Sequence, residues 1–491
     1  MIEDEKKIYI IFKKDGETLT GHVLTTTKPT KDSAIKFFDT SEPEATDEVP
    51  ESTSGQSVSD VKSFALVEET FQHTISMFRE AVISTIKLSP MISAVMIASR
   101  LGGFAEKRGE KLSECCSDEI DVFELPFHTY GGVMKRGDEA RAAVSGARHM
   151  RQIAIIGIIS AYDAFLSDLL RAIFTVKPEL IFTSDREIKF SDLMEFGSID
   201  AARESIIAEE SESVLRKSHH EQFSWMEKKF SIPLRNGLDV WPEFIELCER
   251  RNLLTHTNGV VSDQYIKNCK DHGCKVSVNA GDKLVVDFEY LVRSIEIVAE
   301  VGLKLVHTMW RKFDEGDRGR ADNYLNNCCM ALIQDKKYET AIQLLTFATQ
   351  QKKHSSDATR RMMVVNLANA LKLSGEPEKA KVHLNKEDWS ATSPQFQICV
   401  AAVLDNHDRV CELLQLGAVS INISASDFRD WPVFKSSRSQ DAVAETFLEI
   451  FGEPLFRPDK VTSIGNVGEM EADSLSDLDA MDGSDLPKVI H

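Results

Sequence analysis

The feature that most constrains the fold is a long helical pattern over residues 147–175, which read ARHMRQIAIIGIISAYDAFLSDLLRAIFT. Apolar side chains recur at spacings near three and four from Met150 to Ile173 and form one broad stripe. A helix with such a stripe has to bury it against other secondary structure. The segment therefore predicts the central helix of a helical bundle in a mainly α fold.

Two further helices are predicted in the same bundle. The first begins at Pro242, a residue suited to the first turn, and ends at Asn258-Gly259, where glycine tolerates the left-handed conformation. Its apolar stripe is Phe244, Leu247, Cys248 and Leu254. The second is a long helix over residues 287–310 that closes the bundle.

A weak internal repeat follows the bundle, within residues 320–415. The pair Ala331-Leu332 recurs 39 residues later as Ala370-Leu371, and a third copy runs through Ala401-Ala402. Each copy reads as a helix, a short polar turn (QDKKY, SGEPE or DNHDR) and a second helix. The pattern resembles tetratricopeptide-type helical hairpins, although the period is not the usual one of about 34 residues and most consensus aromatic residues are missing. Such hairpins imply a surface for a protein partner.

The whole chain is divided here into five parts: a small, poorly defined β-like segment with an acidic linker at 1–62, a helical region at 63–146, the bundle at 147–315, α-hairpin repeats with a cap at 320–458, and an acidic tail at 459–491. The short β-like runs at 8–12 and 21–25 are too few for an independent sheet. Residues 108–145 have no clear pattern. We expect a solvated linker and a disordered tail, because neither can build a core.

Composition limits the function and the location. The formal net charge is −20 over 491 residues, and the acidic stretches at 40–60 and 459–491 supply −12 of it. This balance excludes a basic nucleic-acid coat as a global property and strong attraction to an anionic membrane. Neither a signal peptide nor a transmembrane span is expected, because acidic residues precede any apolar run and the apolar runs are short. Nine scattered cysteines favour a reducing, cytoplasmic location.

The residues that could carry chemistry lie near the end of the second predicted helix, in CERRNLLTHTNG. Arg251 and His256 form an R-x4-H pair, with Asn252 next to the arginine. An arginine followed by a histidine at this spacing or at either of the two next longer ones is expected about twice by chance in such a chain, so the place of this pair near a helix end carries the information. Five residues advance a helix by about 500°, so Arg251 and His256 point about 140° apart, whereas Asn252 and His256 share a face. One copy is a poor cleft, whereas a twofold dimer could place both pairs around one phosphate.

Residues 147–312 resemble a HEPN domain, an all-α fold of four or five helices. The resemblance rests on the helix IISAYDAFLSDLLR with Asp163, on the RN-x3-H form of CERRNLLTHTNGVV, and on the closing helix. Many members are metal-independent ribonucleases, some of them toxins or antiphage defence effectors. The resemblance therefore implies an endoribonuclease that acts on RNA as a homodimer without cofactor or metal. In that enzyme His256 is the acid or base, Arg251 clamps the phosphate, and Asn252 and Asp163 complete the site.

Other interpretations stay open from the residues alone. Arg251 can form ordinary ion pairs with Glu246, Glu249 or Asp163, and HEPN-like folds include inactive members. The alternative function is therefore a non-catalytic HEPN–repeat scaffold that assembles proteins. Several HEPN groups carry a tyrosine two residues after the histidine, but that residue here is Asn258, so adenylylation at this position is not implied.

Two minor patterns complete the list of candidate sites. Cys269-x2-His272-x-Cys274 resembles half of a zinc site, but no second pair of ligands stands at a suitable distance, and a simple loop is the favoured interpretation. The neighbours His219 and His220 are expected to face solvent.

Overall fold

The computed structural model describes residues 7–15, 18–25, 28, 63–116, 120–181 and 196–456. Helices account for 74% of it and strands for 4%, and these residues contain 17 α-helices. The predicted mainly α class is confirmed. The predicted linker and the acidic tail at 459–491 lie outside the described residues.

The N-terminal β-like runs belong to a four-stranded sheet. Its strands are β1 (Lys7–Asp15), β2 (Thr18–Thr25), β3 (Glu110–Lys111) and β4 (Ile120–Pro126), in the order β2-β1-β4-β3. All neighbours are antiparallel, and Ile10 of β1 lies opposite Leu24 of β2 and Phe123 of β4. The two N-terminal runs do not form a sheet by themselves. The other two strands come from residues 110–126, where the sequence has no clear pattern.

The sheet packs against a long helical segment. Helix α1 (Phe64–Met77) continues through a π-helical turn (Phe78–Val82) into α2 (Ile83–Arg108). A separate small core joins the sheet to the second half of α2, and it contains Ile10, Phe12, Ile97, Leu101, Ala105, Phe123, Leu125 and Val133. The N-terminal strands thus gain their stability from α2 and β4.

Helix α3 (Tyr130–Val176) contains the segment that dominates the sequence. It runs antiparallel to α1 and α2, since Phe104 packs on Gly132 at one end and the rings of Phe71 and Phe165 lie 4.2 Å apart nearer the other. The helix continues without a break through residues 146 and 147, the expected boundary between two domains. Its second half is buried among the bundle helices, as the apolar stripe predicts.

Five more helices complete the bundle: α4 (Ile199–Leu215), α5 (His219–Phe230), α6 (Trp241–Thr257), α7 (Asp263–Asp271) and α8 (Phe288–Phe313). Helix α8 lies at the centre, packed on α1, α3 and α6. The Asp287 side chain accepts a hydrogen bond from the Tyr290 N–H at 2.6 Å and caps its N-terminus. The helix predicted at 287–310 is therefore present and extends three residues further.

Gly302 of α8 allows a close contact with α1 in the bundle core, and its replacement should destabilise the fold. A Cβ atom there would lie 2.4 Å from Cε1 and Cζ of Phe71, a ring that is itself buried. We expect Gly302→Ala to lower the free energy of unfolding by about 1–3 kcal/mol, measured by urea denaturation. Gly103→Ala in α2 is the matched control, because a Cβ there meets nothing within 4 Å. It should be neutral or stabilising by up to about 1 kcal/mol, and equal losses in both variants would contradict the packing argument.

Six helices form three successive hairpins after the bundle: α9 (Arg318–Gln334) with α10 (Tyr338–Thr349), α11 (Asp357–Leu373) with α12 (Pro377–Leu384), and α13 (Pro394–Val403) with α14 (His407–Leu414). The three predicted polar turns share one geometry. A residue with positive φ stands in each: Lys336, Gly375 and Asp405. The next N–H then donates to a carbonyl five residues earlier at 2.8–2.9 Å in all three.

The chain ends its described part with α15 (Ala418–Ile421), α16 (Ala425–Asp430) and α17 (Asp441–Phe451). Phe428 stacks on Phe434 at 4.2 Å and also contacts Phe447. These rings cover the last hairpin. One continuous hydrophobic core runs from Phe64 to Leu455 and joins the bundle to the hairpins.

Two helical segments are long and apolar enough to cross a membrane by length and composition alone: residues 64–108 and 149–176. A quarter of the apolar window is buried in the first and half in the second. A core helix of a soluble protein meets the same criterion. The absence of a membrane span therefore stays a prediction, as does the cytoplasmic location.

Candidate functional site

Helix α6 carries the R-x4-H pair, and its ends form as the sequence predicts. Pro242 lies in the first turn, and Asn258 ends the helix in the left-handed conformation with φ of 52°. The Gly259 N–H then donates to the Leu253 carbonyl at 3.0 Å and closes the last turn. The predicted stripe of Phe244, Leu247, Cys248 and Leu254 is buried.

Asp163 of α3 is the residue that joins the predicted site to the rest of the bundle. Its Oδ2 accepts a hydrogen bond from Nη2 of Arg251 at 3.5 Å, and its Oδ1 lies 3.1 Å from Nε2 of His219 on α5. The carboxylate therefore touches both other helices. Of the three acidic partners that Arg251 could have used, the structure selects Asp163.

Arg250 and Arg251 are neighbours with different surroundings. Nε of Arg250 donates to Glu246 at 2.8 Å, and its guanidinium stacks 3.9 Å from the centre of the Tyr290 ring. Glu246 also accepts hydrogen bonds from the hydroxyls of Tyr265 and Tyr290. Arg250 thus belongs to a closed, satisfied network. Arg251 makes a single long hydrogen bond to Asp163 among the described residues. Its Nε is buried without a partner, and its side chain is 23% exposed, so the donors available to a ligand are the remaining ones on its Nη atoms.

Asn252 and His256 are not joined to Arg251 by any contact among the described residues. His256 is exposed in the last turn of α6, and Asn252 is half-buried. Neither side chain has a hydrogen bond or ion pair within the described ranges. The predicted angular separation of Arg251 and His256 agrees with these environments, because Arg251 turns towards α3 while His256 faces solvent. The structure thus brings Arg251 and Asp163 together and leaves His256 apart.

The groups beneath the site are neutral. Burial raises the pKa of the Cys248 thiol well above its usual value, and burial likewise raises the pKa of the Tyr162 hydroxyl. Burial therefore favours the neutral thiol of Cys248 over the thiolate. Tyr162 and Phe244 pack with ring centres 5.1 Å apart and form the apolar floor below Asp163.

His219 is the site residue that the sequence interpretation missed. The expectation that it faces solvent is wrong, because it is buried, packs against Tyr162 and Phe244, and contacts Asp163. The sequence does hold a signal for its position in the first turn of α5. Ser218 and Glu221 form a capping box, in which each side chain bonds the backbone of the other. No local sequence pattern predicts that His219 contacts Asp163, which lies 56 residues earlier in the chain.

The Cys269–His272–Cys274 pattern does not assemble as a zinc site. Burial raises the pKa of the Cys269 thiol to about 12, and the Cys274 thiol donates to the Pro242 carbonyl at 3.0 Å. His272 instead packs on the ring of His220, 4.6 Å between centres. Within the described ranges, no group of three or more His, Cys, Asp or Glu side chains is arranged to hold a metal ion.

Comparison with known proteins adds no further constraint on this site. No family model, no curated protein and no solved structure matches the chain.

Proposed function

We propose that the protein is a metal-independent endoribonuclease of HEPN type. In this reaction His256 removes the proton from a ribose 2′-hydroxyl, and the 2′-oxygen attacks the adjacent phosphorus. The bond from phosphorus to the 5′-oxygen breaks, and that oxygen takes up a proton from the protonated His256 of the second copy in the dimer. Arg251 binds the phosphate and stabilises the charge that develops on it, while Asn252 orients the reacting groups. A toxin or defence effector is the biological role that fits such an activity.

The state of Arg251 is the observation that carries this proposal. Its only contact with Asp163 is long, at 3.5 Å, whereas the neighbouring Arg250 is held by shorter bonds and a stacked ring. A planar guanidinium with free donors is suited to bidentate phosphate binding. Asp163 also contacts His219, which fixes the position of the carboxylate, and the carboxylate in turn positions Arg251. His256 is exposed in the last turn of α6, so its imidazole is accessible to a bound RNA.

Assembly follows from the separation of Arg251 and His256 on α6. Since one helix cannot direct both side chains to one phosphate, the second half of the cleft has to come from another copy. We expect the full chain to scatter light as a homodimer, at twice its 55.0 kDa mass. A strict monomer that still cuts RNA would rule out the shared cleft.

A second function is favoured by a different observation. Asp163 on α3 contacts His219 of α5 and Arg251 of α6. Contacts of this kind can serve only to hold three helices together, with no role in catalysis. The three hairpins α9–α14 are arranged in a row and could bind a protein partner. A non-catalytic scaffold is therefore the alternative.

Total RNA incubated with the purified protein in EDTA distinguishes the two functions. Cleavage by the wild type, and none by His256→Ala, is the result expected for the ribonuclease. Intact RNA in both samples favours the scaffold. Expression of the wild type should also slow the growth of its host, whereas the Arg251→Ala/His256→Ala double mutant should not.

A further inference from the structure

His220 and His272 form a ring pair that neither the sequence motif nor the proposed reaction uses. His220 lies in the first turn of α5, and His272 directly follows α7. Their ring centres are 4.6 Å apart and the planes are inclined by 53°. Both residues are half-buried, so the pair is accessible from solvent.

The hydrogen bond of His272 determines which of its nitrogens carries the proton. Its Nδ1 lies 2.8 Å from the Asn268 carbonyl oxygen. A carbonyl oxygen only accepts, so Nδ1 has to donate. In the neutral ring, Nε2 is then left with a free lone pair.

The same conclusion holds for His220 by way of a serine. Its Nδ1 lies 2.9 Å from Oγ of Ser218, and that hydroxyl donates its single proton to Glu221 at 2.7 Å. The serine oxygen therefore accepts from Nδ1 of His220, and Nε2 again carries the lone pair. Within the described part of the chain, neither Nε2 atom has a hydrogen-bond partner.

We propose that His220 and His272 form a two-imidazole binding site for a divalent transition metal ion of the Zn²⁺ or Ni²⁺ class. Imidazole nitrogen is a preferred ligand of these ions, and a metal-binding histidine usually donates its other ring N–H to an oxygen acceptor, which fixes the orientation of the ring. Among the residues that the structure describes, no third protein ligand is arranged around the pair, so water completes the coordination. The hard ions Mg²⁺ and Ca²⁺, which prefer oxygen ligands, are not bound here.

Bound metal would join the first turn of α5 to the end of α7. His219, the residue before His220, points the other way and contacts Asp163. The ion would therefore hold in place the turn that supports Asp163. This site is separate from the ribonuclease proposal, because it uses neither Arg251 nor His256.

Calorimetric titration of the full chain with Zn²⁺, in a reducing neutral buffer, tests the site. We expect one ion per chain, an affinity at least tenfold weaker in His220→Ala and in His272→Ala, and no binding of Mg²⁺. Saturating Zn²⁺ should also raise the melting temperature of the wild type, because a ligand that binds the folded state stabilises it. That increase should disappear in both variants, whose metal-free melting temperatures should stay near that of the wild type.

Three further variants make the titration decisive. His128→Ala removes an exposed histidine and should bind Zn²⁺ as the wild type does. Cys274→Ser should also bind normally, because the cysteine is not a ligand. Equal affinity in the wild type and both histidine variants would overturn the proposal, and so would loss of binding in Cys274→Ser alone. His256→Ala should keep zinc binding while losing RNA cleavage, so the two proposals fail independently.

Discussion

RNA cut by this protein should carry a 2′,3′-cyclic phosphate, or its hydrolysis product, on one fragment and a 5′-hydroxyl on the other. These termini follow because the proposed nucleophile is the neighbouring 2′-oxygen and the leaving group is the 5′-oxygen. Cleavage should survive EDTA, since no step requires a metal. RNA with a 2′-deoxy residue at the cut site should resist, because its nucleophile is missing. Mass spectrometry identifies the termini of the fragments and shows whether each RNA has been cut.

Substitutions at the site should separate chemistry from structure. We expect His256→Ala to slow cleavage by about 10²–10⁴-fold, the range for loss of a general acid or base. Arg251→Lys should also be poor, because a point charge does not replace a planar bidentate donor. His128→Ala is the matched control and should cut at the wild-type rate, since His128 is exposed and lies outside the proposed site. Both site variants should melt within a few degrees of the wild type. An unfolded variant, together with an inactive wild type, would instead support the scaffold.

Removal of the Arg311 side chain should destabilise the protein more than any surface substitution. Arg311 of α8 pairs with Asp322 of α9 at 2.5 Å, and both residues are buried. The other oxygen of Asp322 accepts the Ser355 N–H at 2.6 Å, so this pair links the bundle to α9 and to the loop before α11. Arg311→Met leaves a buried carboxylate without its counter-charge. We expect a loss of about 3–5 kcal/mol in urea unfolding.

Two companion variants identify the cause of that loss. Arg409→Met removes an exposed arginine that pairs with Glu412, and it should change stability by less than about 1 kcal/mol. Arg311→Met/Asp322→Asn should recover part of the stability, because the amide still accepts from Ser355 and carries no charge. A double variant no more stable than Arg311→Met would show that lost packing, and not the buried charge, is responsible.

Much of the architecture is readable from residues close together in the chain. The sequence predicts the central helix, both ends of α6 and the three hairpin turns, because helical periodicity and turn geometry depend on neighbours within a few positions. The residue type alone does not predict the backbone conformation of the turn at Lys336. Lys336 adopts a φ of 60° at the position where Gly375 has a φ of 90°, although lysine does not favour a positive φ.

The sheet shows what a local pattern cannot supply. Strand β1 pairs with β4, more than 100 residues away, and the segment that contains β4 gave no clear signal. Likewise the domain boundary expected near residue 146 falls inside α3. The polar stretch there continues the helix because the apolar second half of α3 is held in place by packing.

Part of the candidate site is predicted by the sequence, and part depends on the tertiary structure. From the sequence alone came Arg251, Asn252 and His256 on one helix, with Asp163 as an associated carboxylate, because spacing fixes angles around a helix axis. The tertiary structure alone decided that Asp163 contacts Arg251 and His219. It also decided that His219 faces α3 while the next residue, His220, meets α7. The physical reason is that adjacent residues on a helix point about 100° apart, so their partners depend on which helices pack on each side.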